Sequence, residues 1–274
     1  MDRSLSAGVI IAFMLTLLLT GCHALFSPEK HTGDSGDRDY PRTLVPLQPA
    51  ELEQLQESFN RLNDGKILTR LNPYGLTGEV DHGSARRANP GIPVTEPEAA
   101  QLAVRAVLRN AQFTNAADSL YLVNHIQDIR LVRDDSTEWL VRFEGQRYQG
   151  YPVRDTRISV WTYGDGAWAI RGFWYADLVL PEYPVIGEAE ARWRVIGKRL
   201  VWHGFGGEPH EFLVTPADIG APIEAVVMPL ETGESIELRV TWKIPVIFES
   251  FFGWHCYVDV ITGELLEIVQ EFRT

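Results

Sequence analysis

Thr95-Glu96-Pro97-Glu98, running on into Ala99–Ala111 (AAQLAVRAVLRNA), opens the part of the sequence that decides the fold. Thr95 is suited to cap a helix and Glu98 to complete a capping box. Pro97 falls in a first turn that needs no amide donor. Ala100, Ala103, Val104, Val107, Leu108 and Ala111 then recur at i, i+3, i+4, i+7, i+8 and i+11, which is one face of an α-helix. Small side chains on that face allow close approach, so the helix is expected to lie on a sheet.

Four strand-like stretches follow. Leu120 to Val132 is rich in β-formers and ends at Asp134-Asp135-Ser136. Glu138 to Tyr148 places Trp139, Val141 and Phe143 on one face. Arg154 to Tyr163 alternates, and Gly164-Asp165-Gly166 turns the chain back into Ala167 to Tyr175. One helix and a four-stranded antiparallel meander make the first unit.

After Pro181 and Pro184 the pattern recurs. Ala189, Trp193, Ile196 and Leu200 share a helical face behind Gly187, although Gly197 weakens such a helix by up to about 1 kcal/mol relative to Ala. Strands are predicted near Glu211–Thr215, Ala225–Leu230, Ile236–Phe248, Trp254–Ile261 and, after the turn Thr262-Gly263, Glu264–Phe272. The expected fold class is therefore α+β, with two successive units, each a helix packed on an antiparallel β-sheet.

Upstream, Leu52, Leu55, Phe59 and Leu62 define another amphipathic helix, stopped by Asn63-Asp64-Gly65. Ile67 to Arg70 reads as a strand, and Tyr74 to Pro93 as a loop with room for a short strand. Domain boundaries follow: a signal segment at 1–21, a tether at 22–45, a first α+β domain at 46–180 and a second at 181–274. Ser27 to Arg42 contains no aliphatic residue and cannot bury a core, which is why it reads as tether.

With 274 residues, 45 % of them hydrophobic and 23 % charged, the chain has the composition of a globular protein. Its net charge of −12 argues against a nucleic-acid partner. The N-terminus carries an address. Ala7 to Leu19 is almost wholly apolar but too short to span a bilayer, which takes about 20 residues. Leu19-Thr20-Gly21-Cys22 resembles the lipobox of bacterial lipoproteins, which implies acylation of Cys22 and attachment to a membrane through its acyl chains. His23, standing where inner-membrane retention signals carry Asp, implies the outer membrane. With Cys22 lipidated, Cys256 has no partner for a disulfide and reads as a buried thiol.

Catalytic motifs are missing from the sequence. His210-Glu211 lacks the second His of a zinc-protease helix, and there is no GxSxG, P-loop or GxGxxG. His203 and His210 flank a glycine-rich loop that reads as solvated. The expectation is a non-enzyme with no cofactor and no metal. Trp161, Tyr163, Trp168 and Trp174 lie on adjacent strands. As an uncovered row they would form a surface for a protein partner.

Two stretches carry a resemblance. Tyr148-Gln149-Gly150-Tyr151-Pro152-Val153 is similar to the strand pair of fungalysin/thermolysin-type propeptides. Ile186-Gly187-Glu188-Ala189-Glu190-Ala191, Trp242-Lys243-Ile244 and Tyr257-Val258-Asp259-Val260-Ile261-Thr262-Gly263 resemble the PepSY domain that follows in those propeptides. Tyr148, Gly150, Pro152, Val153, Trp242, Tyr257, Asp259 and Gly263 are the matching positions. The resemblance implies a cystatin-like/PepSY-like fold over residues 95–274, ending where that family's peptidase begins. It further implies an inhibitor or folding chaperone, with an exported metallopeptidase as the partner. The alternative is a structural or assembly lipoprotein that binds another envelope protein or a cell-wall component.

Overall fold

A computed structural model describes residues 40–80, 92–132, 137–164, 166–203, 208–248 and 252–272. The signal segment, Cys22 and the tether up to residue 39 lie outside the described residues, as do 133–136 and 204–207.

Helices α1 (Pro49–Leu62) and α2 (Glu96–Arg109) begin alike, each with Pro in its first turn. Glu98 accepts the Thr95 N–H at 2.7 Å, as the capping box requires, and Glu51 accepts the Gln48 N–H at 3.0 Å. α1 ends at Leu62, and Asp64 and Gly65 take the left-handed conformation of the stop. Asn63 and Asn110 follow the two helices and bond each other reciprocally in the interior, at 2.7 and 3.0 Å. These bonds satisfy buried amide groups and pin the two C-terminal ends together. The buried face of α2 is Ala99, Ala103, Ala106 and Val107, rotated slightly from the predicted stripe, and Phe59 of α1 meets Phe113 edge to face at 5.1 Å.

Short helices α3 (Ala111–Thr114) and α4 (Ser119–Asn124) lead into the first sheet. The predicted strand from Leu120 is thus helical in its first half. The Asp118 carboxylate accepts the Tyr121 N–H at 3.0 Å, and this cap overrides the β-propensity of the segment. The hairpin of β2 (Thr69–Leu71) and β3 (Thr77–Val80) precedes α2 in sequence. β4 (Ile126–Leu131) and β5 (Trp139–Phe143) pair antiparallel. A miniature hairpin, β6 (Arg147–Tyr148) and β7 (Tyr151–Pro152), interrupts the meander. It continues with β8 (Ser159–Tyr163) and β9 (Gly166–Arg171) in the order β4-β5-β8-β9. Val141, Val160 and Ile170 align across three strands and pack with α2 in the first core.

The second unit starts with α5 (Glu188–Val195), shorter than predicted. Gly197 takes a φ of 80° and turns the chain, so Leu200 falls in a strand, β10 (Arg199–His203), paired with β11 (Pro209–Leu213). The expected helical face is not the buried one. Ala191 and Val195 are buried, whereas Trp193 is 67 % exposed. The second sheet contains β12 (Glu224–Thr232), β13 (Ser235–Phe248), β14 (Phe252–Asp259) and β15 (Leu265–Phe272).

The fourteen-residue β13 organises this sheet. β12 pairs with residues 235–243 and β14 with 241–248, so the overlap puts them on opposite edges. β1 (Arg42–Leu44) pairs with residues 236–238 and therefore sits end to end with β14. The tether bounds of 22–45 include these three residues, of which only Arg42 belongs to the stretch without aliphatic side chains. Their hydrogen bonds come from a sheet edge almost 200 positions away, which composition does not register.

The two units meet in a shared core. Val153, Tyr175 and Leu178 from the first pack with Val227, Ile236, Leu238, Val240 and Val260 from the second. The units drawn at 46–180 and 181–274 belong to one compact body. Leu238→Ala is expected to cost about 2–5 kcal/mol by opening this core. Tryptophan fluorescence and far-ultraviolet circular dichroism should trace one coincident melting transition in the unaltered protein. Two separate transitions would contradict the shared core.

Candidate functional site

The aromatic row singled out by the sequence is largely inside the protein, which corrects its reading as a binding surface. Tyr163, Trp168 and Trp174 are buried, and Trp161 is half-buried. Trp168 lies 6.1 Å from Trp161 and 6.0 Å from Tyr163, ring to ring, under Leu68 and Val80 of the β2–β3 hairpin. The Leu68 N–H donates to the Trp168 carbonyl at 2.7 Å, fastening that cover to β9. Trp174 faces the other core and meets Tyr121 edge-on at 5.2 Å. The covering strand β3 lies in the Tyr74–Pro93 segment, where the sequence left room for a short strand but did not place it over the row.

Of the motif residues of the family resemblance, Tyr148, Val153 and Trp242 pack in the core shared by the two units. Gln149 and Gly150 take φ of 49° and 90°, so β6 turns sharply into β7 with Tyr148 opposite Tyr151. Val153 then bridges in parallel to Val227 of β12, and the Arg154 N–H donates to the Val227 carbonyl at 2.9 Å. The Arg154 guanidinium sits 4.8 Å over the Tyr257 ring and pairs with Glu267 and, at 3.1 Å, with Asp155. Burial pushes the Tyr257 phenol up to about 12.

The second motif builds a turn. Asp259 is fully buried, and its Oδ1 accepts the N–H groups of Ile261 and Thr262 at 2.7 and 2.9 Å. Its Oδ2 pairs with Arg239 at 2.9 Å, and Arg239 also holds Glu237 at 2.7 Å. Gly263 has φ of 69°, and a Cβ there would meet Ile186 at 3.2 Å. Trp242 Nε1 donates to the Ile186 carbonyl at 2.8 Å, fixing the segment that leads into α5. These residues shape the fold and expose no reactive group.

His210 stacks on Trp202, with ring centroids 4.4 Å apart. Among the described residues, no group of three or more His, Cys, Asp or Glu is placed to hold a metal ion. Cys256 is buried in the second core, and desolvation raises its thiol to about 12.

Two surface features escaped the sequence. β4 and β15 each pair on one side only among the described residues, so each presents an edge of backbone donors and acceptors. A cleft of about 600 Å³ also opens on the outer face of the first sheet, where Arg142, Arg157 and Arg171 converge. Strand alternation signals that Arg142 and Arg171 face away from the helix. Arg157, however, reaches the cleft through a loop that no periodicity describes.

No known family profile matches this chain, and no curated protein does. Among solved structures it is similar to the Bacillus megaterium YpeB C-terminal domain, with 8 % sequence identity and a TM-score of 0.34. That similarity covers 84 % of this chain and 100 % of the other.

Asp259→Ala removes both turn bonds and leaves Arg239 without its buried partner. The expected loss in urea denaturation is about 3–5 kcal/mol. Asp259→Asn retains an oxygen for the turn and should lose less. Equal losses for the two variants would show that the turn bonds contribute nothing.

Proposed function

We propose that the protein is a membrane-anchored, non-catalytic lipoprotein of the bacterial envelope that acts by binding, as a propeptide-like inhibitor or folding chaperone of an exported peptidase. The observation that carries this reading is the eight-residue edge strand β15, unpaired on its outer side among the described residues. An extended segment of a partner can add to such an edge through main-chain hydrogen bonds, while side chains at alternate positions supply selectivity. Ile268, 42 % exposed on β15, offers an apolar contact beside those bonds.

Leu19-Thr20-Gly21-Cys22 supports the anchor, and His23 the outer membrane. Lipidation would confine the protein to the membrane surface and raise its effective concentration toward partners exported there. The resemblance of Tyr148–Val153 and Tyr257–Gly263 to propeptide and PepSY sequences supports a peptidase as the partner.

Full-length lipidated protein in detergent is expected to abolish hydrolysis by an exported metallopeptidase of the same organism at equimolar concentration, or to raise its yield on refolding. Absence of both effects across those peptidases at tenfold excess would overturn the proposal.

A further inference from the structure

The arginine cleft is built by backbone constraints. Arg142, Ser159 and Arg171 are directly opposite one another on β5, β8 and β9. Neighbouring strands lie about 4.8 Å apart, so the two arginine Cα atoms are separated by about 10 Å, with a hydroxyl between them. Arg157 is brought to the same place by Gly172, whose φ is 94°. A Cβ on Gly172 would lie 2.0 Å from the Arg157 carbonyl oxygen, so only glycine permits this approach.

The far wall is fixed as well. Thr77 Oγ1 donates to the Gly172 carbonyl at 2.6 Å, and the Gly172 N–H donates to the Thr77 carbonyl at 3.2 Å. Thr156, buried, bonds the Val153 carbonyl at 2.7 Å and accepts the Gln146 N–H at 2.8 Å, holding the loop that carries Arg157.

Charge in the cleft is divided. Arg142 is held at 2.9 Å by Asp128. Arg157 and Arg171 line the cleft and make no ion pair among the described residues. Asp155 and Glu79 also line the cleft, Asp155 in contact with Arg154. Guanidinium forks match the oxygens of a phosphate, whereas carboxylates accept hydrogen bonds from hydroxyl groups. In a chain of net charge −12, the cleft lining holds three arginines against two carboxylates, a local excess of positive charge.

We propose that this cleft binds a phosphorylated polyol, with the phosphate on Arg142, Arg157 and Arg171 and the polyol hydroxyls toward Glu79 and Asp155. This proposal is independent of the peptidase reading. Such a group occurs on free polyol phosphates and on phosphoglycerol lipid headgroups.

The test is calorimetry on the full lipidated chain held in phosphatidylcholine nanodiscs. The two probes are sn-glycerol 3-phosphate and dihexanoyl phosphatidylglycerol below its micelle concentration. At least one is expected to bind saturably with Kd below about 1 mM. Arg157→Met and Arg171→Met should each weaken it about tenfold, the effect of losing a charge-assisted hydrogen bond. Arg61→Met, on an exposed turn of α1, should leave binding unchanged. Both cleft arginines are exposed, so the melting temperature should hold in both variants. Tighter binding of glycerol 3-phosphate supports a free polyol phosphate, and tighter binding of the lipid supports a headgroup. No saturable binding of either probe, or binding insensitive to both cleft variants, would overturn the proposal.

Discussion

The join between Val153 and Val227 governs the architecture. The β6–β7 hairpin leaves the first sheet, turns over Gln149 and Gly150, and delivers Val153 to the side of β12. The neighbouring Arg154 N–H adds a 2.9 Å bond to the Val227 carbonyl. Around this point Tyr175 and Leu178 from one unit close over Ile236, Leu238 and Val240 from the other. Each fully buried Leu or Val contributes about 1.5–3 kcal/mol, so separating the units would expose a sizeable part of the folding free energy to water. Arg154 then reaches over Tyr257 to Glu267, tying the hairpin to β14 and β15.

Local signals in the sequence located most of the elements. The Thr95–Glu98 capping box, the Asn63-Asp64-Gly65 stop and the Thr262-Gly263 turn each rest on hydrogen bonds within a few residues. Such signals survive in any tertiary context. Failures occurred where distant partners decide. Arg42–Leu44 becomes strand because β13 offers an edge. Gly197 ends α5 early, and Leu200 then enters the second core from a hairpin.

The candidate surfaces are harder to see in the sequence for the same reason. Alternation along β8 places Trp161 and Tyr163 on one face, but whether that face is open depends on β3. That strand covers half of the face, over Tyr163 and Trp168, and leaves the other half as the arginine cleft. Gly172 permits the close approach that brings Arg157 there, a requirement that only coordinates reveal. By contrast, Tyr257, Asp259 and Gly263 were legible as a motif. Their role is structural: a buried carboxylate that satisfies two turn amides and one arginine.

The proposed binding rests on strand edges and a polar cleft, carried by the four-stranded and five-stranded sheets. The most direct test is a cross-linked pull-down of the full chain from membranes of its own organism, with Cys22→Ala as the control for the proposed anchor. The account predicts enrichment of an exported metallopeptidase by the unaltered chain and its loss in the control. Enrichment of an envelope assembly without any peptidase would contradict it.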